Sequence, residues 1–268
     1  MDGFDFASQN RERIASFPDH RADDAISLQL ALNPTIARDA YRIRHEGYRA
    51  YGFVEEQPEG LFIDKYDGRP NVKMVVVYKD NVPAATVRLC LFDATGQNPD
   101  ADRVPAMEIF DTEIRELLNG FATPGAPQRA VEVGRMARLP AFANDKAVIN
   151  GLFRAVGYLV LHFRADIVFN ACRTHHLPMY RRFGFQKIQE PRLYPNLNFE
   201  TVLAACFRAH FGSARSELPF LRGISTEDAV YGSLIAGERT PLYLPTPHAA
   251  PAPAPVAGSA MAAGSMAA

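Results

Sequence analysis

Two charged residues three apart, Glu132 and Arg135, stand in a stretch that otherwise reads as buried: Ala130–Val131–Glu132–Val133–Gly134–Arg135–Met136–Ala137. A carboxylate in such a strand is costly unless it has a partner or a task. Four further charges are similarly placed. Arg88 shares one strand face with Thr86, Cys90 and Phe92, while Val87, Leu89 and Leu91 face the other way. Arg44 lies at the edge of a helical stripe of Ile36, Ala40 and Ile43, and Asp64 and Asp67 occupy a loop. Arg44, Arg88 and Arg135 against Asp64, Asp67 and Glu132 sum to zero charge, a set that a cleft can bury. Its acids could hold a substrate ammonium and its arginines a carboxylate. The same six charges would also serve as a purely structural brace between helix and sheet.

The elements that must position these groups follow from pattern. Ile26, Leu28, Leu30 and Leu32 alternate with polar or small residues as in a half-buried strand, and Asn33–Pro34 starts a helix. Residues 52–70 read as loop. Lys73–Tyr78 and Ala84–Phe92 make a hairpin around Lys79–Asp80–Asn81, with Pro83 at a strand start or an unpaired edge. A short helix is expected over 105–119, and the strand 130–137 follows. Then come a long helix with a wide apolar face from Val148 to Phe163, a short strand at Ile167–Phe169, and a second helix ending Met179–Tyr180–Arg181–Arg182–Phe183–Gly184–Phe185. Strand, crossover helix and strand of these lengths imply a parallel βαβ unit. Gly151 and Gly157 in the long helix suggest close approach of a neighbour. Strict alternation puts Glu132 and Arg135 on opposite faces; a bulge at Gly134 would turn both to one cleft and free a backbone N–H near Met136. Strands at 186–188 and 200–207 complete a domain over 25–211, an α/β fold with a mixed sheet and helices on both faces. Residues 1–24 and the Ala/Pro-rich tail 245–268 are expected to be disordered, and 212–244 to form an extension with a helix capped by Ser225.

At 268 residues, 47% hydrophobic and 22% charged, the chain has the composition of a globular protein, and a net charge of −1 argues against coating nucleic acid or an anionic membrane. Cys90, Cys172 and Cys206 lie among apolar neighbours, which suits reduced core thiols rather than disulfides or zinc. His175 and His176 point apart on a helix, so no metal site is expected. The first residues, MDGFDFASQNRER, have no signal-peptide pattern, and a cytoplasmic location is expected.

The element order and the run His176–Leu177–Pro178–Met179–Tyr180–Arg181–Arg182–Phe183–Gly184–Phe185 resemble the GNAT acyl-CoA N-acyltransferase fold and its LYxxxGF segment. Arg44 with Tyr48, Asp64–Lys65–Tyr66–Asp67, Val87–Arg88–Leu89 and Glu132–Val133–Gly134–Arg135 match, in order and spacing, the charged signature of acyl-homoserine-lactone (autoinducer) synthases. They match equally the related N-acyl amino acid synthases of the FeeM type. The lactone synthases carry a tryptophan after the first helix, where Phe53 and Val54 stand here, and this chain has none. That departure argues against S-adenosylmethionine as substrate, and the runs Asp145–Phe153 and His176–Phe185 look more like the N-acyl amino acid synthase branch. The resemblance implies an acyltransferase that joins a medium or long acyl chain from acyl carrier protein to the α-amine of an amino acid. The alternatives are a lactone synthase and a GNAT-like binding module without turnover.

Acyl transfer from a thioester to an amine needs a neutral amine, a polarised carbonyl and a proton for the leaving thiolate. Glu132 is the candidate base, Arg135 its partner in the site and Tyr180 the candidate acid, although a tyrosine there could equally be core. Arg44, Asp64, Asp67 and Arg88 are expected to bind substrate, and Phe153, Val156 and Phe169 to line an acyl pocket between splayed strands. Enzymes of this fold that use acetyl-CoA place a Gly-rich turn before the central helix to hold pyrophosphate. Arg138–Leu139–Pro140–Ala141–Phe142–Ala143–Asn144 contains no glycine, which favours acyl-phosphopantetheine on a carrier protein over free acyl-CoA. Arg173, Arg181, Arg182 and Lys187 would then face that acidic partner. No tightly bound cofactor is expected.

Overall fold

The computed structural model describes residues 25–94, 96, 98–120, 129–194, 197–208 and 218–242; the expectations for 1–24 and 245–268 lie outside them. Strand β1 (Ile26–Leu30) buries alternate residues, Ile26, Leu28 and Leu30. Asn33 then caps α1 (Pro34–Arg49) by accepting the Ile36 N–H, with Pro34 in the first turn. Strands β2 (Val72–Lys79) and β3 (Val82–Asp93) form a hairpin closed by Asp80 and Asn81, both left-handed at φ 51° and 66°. That two-residue geometry matches the twist of the flanking strands. Pro83 lies within β3 opposite Tyr78, at a slip in register, which is how a sheet accommodates a residue with no N–H to give.

Helix α2 (Met107–Gly120) kinks at Phe110 and leads through an undescribed stretch to β4 (Arg129–Arg138). Then follow α3 (Lys146–Phe163), β5 (Ile167–Cys172) and α4 (Leu177–Arg181). The second helix is therefore shorter than expected: it stops at Arg181, and Gly184 at φ 82° turns the chain into β6 (Gln186–Leu193). Strand β7 (Glu200–Phe207) has the expected bounds. In the C-terminal segment the helix cap is Asp228, not Ser225. The Asp228 carboxylate accepts the Val230 N–H at the start of α5 (Ala229–Ile235), while Ser225 only closes the preceding turn. Thr240–Pro241, β8, then pairs with β1.

The sheet runs β6-β7-β5-β4-β3-β2-β1-β8, and only β4 and β5 are parallel. They pair over three residues, Ala130–Glu132 beside Ile167–Phe169; beyond that the two strands no longer pair and a fork opens between them. Side-chain alternation divides the core. On one face Val75, Val77, Val87, Leu89, Val131, Val133 and Val168 pack with α3. On the other, Met74, Val76 and Tyr78 pack with α1, and Cys90, Phe92 and Phe169 pack with α2. Arg88, opposite Met74 in the sheet, stands between these last two clusters.

Close approach fixes the helices. A Cβ on Gly47 of α1 would lie 2.7 Å from the Arg138 carbonyl oxygen, so only glycine lets α1 lie this near β4. A Cβ on Gly157 would lie 2.8 Å from the Ile224 Cδ1, a contact that the isoleucine side chain would have to shift to relieve. Buried Arg154 donates to the Phe220 and Arg222 carbonyls, tying the described C-terminal segment to α3.

Candidate active site

The bulge in β4 falls one residue beyond Gly134. Thr86 pairs with Ala137 and Arg88 with Gly134, so Arg135 and Met136 together oppose Val87. Arg135 itself takes the left-handed conformation, φ 51°, a strained place for a side chain. The consequence is the one the spacing required: Arg135 swings to the face that holds Glu132 and Arg88, while Met136 packs with the α3 core.

There the charges lock together. Arg44 Nη1 donates to both oxygens of Asp67 at 2.9 Å. Arg88 bridges Asp64 at 2.7 and 3.0 Å and Asp67 at 2.8 Å. Arg135 donates through Nε and Nη2 to Asp64 Oδ2, each at 2.9 Å. Side-chain exposure is 0% for Arg44, 2% for Asp67 and 1% for Arg88, against 18% for Asp64 and 11% for Arg135. This corrects the expectation for Arg44, Asp67 and Arg88. Their hydrogen-bonding groups are turned on one another in this structure, and they anchor Asp64, which in turn holds Arg135. Asp64 also has its oxygens filled by arginines and is not free for an ammonium. Burial works to raise its pKa, but hydrogen bonds and charge from Arg88, then Arg135, hold it well below the usual carboxylate range.

Asp64 and Arg135 form one wall of a cleft of about 670 Å³, completed by Phe62, Tyr66, Glu108 and Tyr194. The Arg135 guanidinium is stacked between Phe62 and Tyr194, 5.2 and 5.4 Å from the ring centres. Glu108 accepts from Tyr66 and pairs with Lys65. Glu132 lies behind this cleft, its Oε2 accepting the Ala106 N–H at 2.8 Å. Burial pushes its pKa up to about 7, against the pull of that N–H and of Arg88 and Arg135. A carboxyl poised there is suited to exchange a proton near neutral pH.

Across the sheet, Tyr180 of α4 is buried, and burial raises its phenol above the ordinary value, so it is protonated at neutral pH. Tyr48 of α1 is close enough to influence both Tyr180 and Arg135. Glu132, the last β4 residue paired with β5, thus stands at the fork with the tyrosine on the other side of it.

One further expectation changes. Phe153 packs on Phe183, 4.5 Å between ring centres, in the α3 core, with Val156 against the same core; Phe169 lies on the opposite sheet face. Alternation along β5 separates them, so they do not line one pocket. Arg173 is half-buried, its guanidinium 4.4 Å from the Phe53 ring centre. Arg181 and Arg182 are exposed, and Lys187 is exposed and paired with Glu190. Sequence reasoning missed Phe62, Glu108 and Tyr194, which carry no pattern of their own. Tyr48 and Tyr66 were within reach, since both stand inside the charged motifs. All three cysteines are buried and free. No helix among the described residues is long and apolar enough to cross a membrane.

Comparison with known proteins places this geometry. The sequence profile of the N-acyl amino acid synthase FeeM matches residues 39–206, a stretch that contains every charged residue of the network. No curated protein matches the sequence. Among solved structures, the N-acyl amino acid synthase FeeM from uncultured soil microbes is similar at 17% identity and a TM-score of 0.57, over 75% of this chain and 99% of that one. The CoA-dependent acyl-homoserine lactone synthase BjaI is similar at 18% identity and a TM-score of 0.51, over 80% of this chain and 99% of that one. At such identities the structures establish the shared acyltransferase fold, and the profile establishes the family. The chain is an acyltransferase and belongs to the FeeM family of N-acyl amino acid synthases.

Proposed function

We propose that the chain transfers a medium or long acyl group from the phosphopantetheine thioester of an acyl carrier protein to the α-amine of an amino acid. The observation that carries this is the fork: a buried carboxyl titrating near 7 at its base, and a protonated tyrosine across the sheet. The amino acid enters the Phe62–Tyr66–Tyr194 cleft with its carboxylate on Arg135. Asp64 uses only the Nε and Nη2 edge of that guanidinium, leaving Nη1 uncommitted among the described residues. Glu132 takes a proton from the amine, the nitrogen bonds to the thioester carbon, the carbon–sulfur bond breaks, and Tyr180 protonates the departing thiolate. Carrier protein is favoured as donor by the start of α3. Asp145 occupies it, accepting the Val148 N–H and pairing with Lys79 at 2.6 Å, so a carboxylate stands where a pyrophosphate would need donors. Exposed Arg181 and Arg182 suit an acidic partner.

The test is mass spectrometry of products from purified chain given acyl carrier protein or CoA thioesters with the proteinogenic amino acids. An N-acyl amino acid formed faster from the carrier protein supports the proposal. An acyl lactone formed on adding S-adenosylmethionine would replace it, and the absence of any acyl product would refute it.

A further inference from the structure

We infer that Asn170 is a donor-binding residue, reading an amide of the pantetheine arm at the fork; this rests on the thioester donor proposed above. Asn170 is the first residue of β5 beyond its last pairing with β4. It is 1% exposed, yet neither its Nδ2 nor its Oδ1 has a hydrogen-bond partner. It is the one buried side-chain amide among the described residues with both ends unmet. Folded proteins rarely leave both halves of a buried amide unsatisfied, and such a group marks a place that a ligand completes. Alternation sets Asn170 on the face of Val168 and Cys172, the side of Tyr180, and its amide adjoins the Tyr180 hydroxyl without a well-formed bond to it.

The chemistry of the ligand follows from what is missing. A carboxamide with a free donor and a free acceptor is matched at two points by a secondary amide, which offers one C=O and one N–H. A pantetheine arm carries such an amide two methylenes from its sulfur. A sulfur placed to receive the Tyr180 proton therefore brings that amide beside Asn170. A plain acyl chain has nothing to offer either end.

The experiment compares two dodecanoyl donors, the N-acetylcysteamine thioester, which has this amide, and the ethanethiol thioester, which lacks it. Wild type is expected to favour the first in kcat/KM by about 10- to 100-fold, the worth of two hydrogen bonds. Asn170→Leu should erase that preference, lowering kcat/KM for the N-acetylcysteamine thioester far more than for the ethyl thioester; Asn170→Ala serves if the leucine variant does not fold. A preference that survives, or equal losses with both donors, would overturn the inference, the latter because Asn170 would then act only through Tyr180. If wild type turns over neither donor, the proposed function fails separately. Calorimetric binding of S-dodecyl-N-acetylcysteamine, a stable thioether, then decides: tighter binding to wild type than to Asn170→Leu supports the site, and equal or absent binding overturns it.

Discussion

Replacing Glu132 by glutamine should abolish turnover and stabilise the protein, by an amount that depends on pH. A carboxyl with an ordinary value of 4.5 and a folded value of about 7 prefers, in the folded state, to keep its proton. Its contribution to stability is whole below 4.5 and is lost as pH rises to 7, at 1.36 kcal/mol per pH unit, or about 3 kcal/mol in all. Above 7 the deficit is constant. Glutamine is neutral throughout and can still accept the Ala106 N–H. The variant should therefore match wild type in urea denaturation at pH 4 and exceed it by about 3 kcal/mol at pH 8. Asp64, held well below the usual carboxylate range, stays ionised from pH 4 to pH 8 and adds nothing to the difference. A gap that is the same at pH 4 and pH 8, or wild type gaining on the variant as pH rises, would refute the assignment of Glu132 as a carboxyl held neutral by burial.

The same titration should appear in kinetics, with wild-type kcat/KM rising with pH and levelling above about 7 as Glu132 becomes a base. Tyr180→Phe should lower kcat by about 100-fold or more with little change in KM for the amino acid, measured at saturating donor. Arg88→Met should destabilise by about 3–5 kcal/mol in a urea titration, because Asp64 and Asp67 lose their shared cation while remaining covered. Gly47→Ala should cost about 1–3 kcal/mol through overpacking, offset by about 1 kcal/mol of helix propensity, since the obstructing atom is a backbone oxygen that cannot rotate away.

The order of elements was legible because it rests on alternation and capping, which are local. Asn33–Pro34 and the apolar run of β5 state their own conformation. That Glu132 and Arg135 could share one face was legible only through a bulge expected at Gly134, and spacing does not say which residue carries it. The structure puts the left-handed turn on Arg135 rather than on Gly134, the residue with the lower conformational cost, because the side chain must reach Asp64. The roles within the network were beyond sequence for a different reason. Six charges summing to zero fit a substrate site and a brace equally, and burial decides between them. Burial depends on Arg88 falling where the α1 and α2 clusters meet, a tertiary fact. The acyl-pocket expectation failed on face assignment, since Phe153 is placed by a helix and Phe169 by a strand, and no local pattern relates the two.

Arg44, Arg88 and Arg135 face Asp64 and Asp67, which leaves one positive charge in excess next to Glu132. The Ala106 N–H first, and then Arg88 and Arg135, pull the Glu132 value down to near 7 against desolvation. A substrate carboxylate on Arg135 would neutralise the same excess. Its arrival therefore raises the affinity of Glu132 for a proton at the moment the amine must give one up. With the proposed amino acid on Arg135, the brace and the substrate site would be one device, Arg44 and Arg88 setting part of the charge that its carboxylate meets.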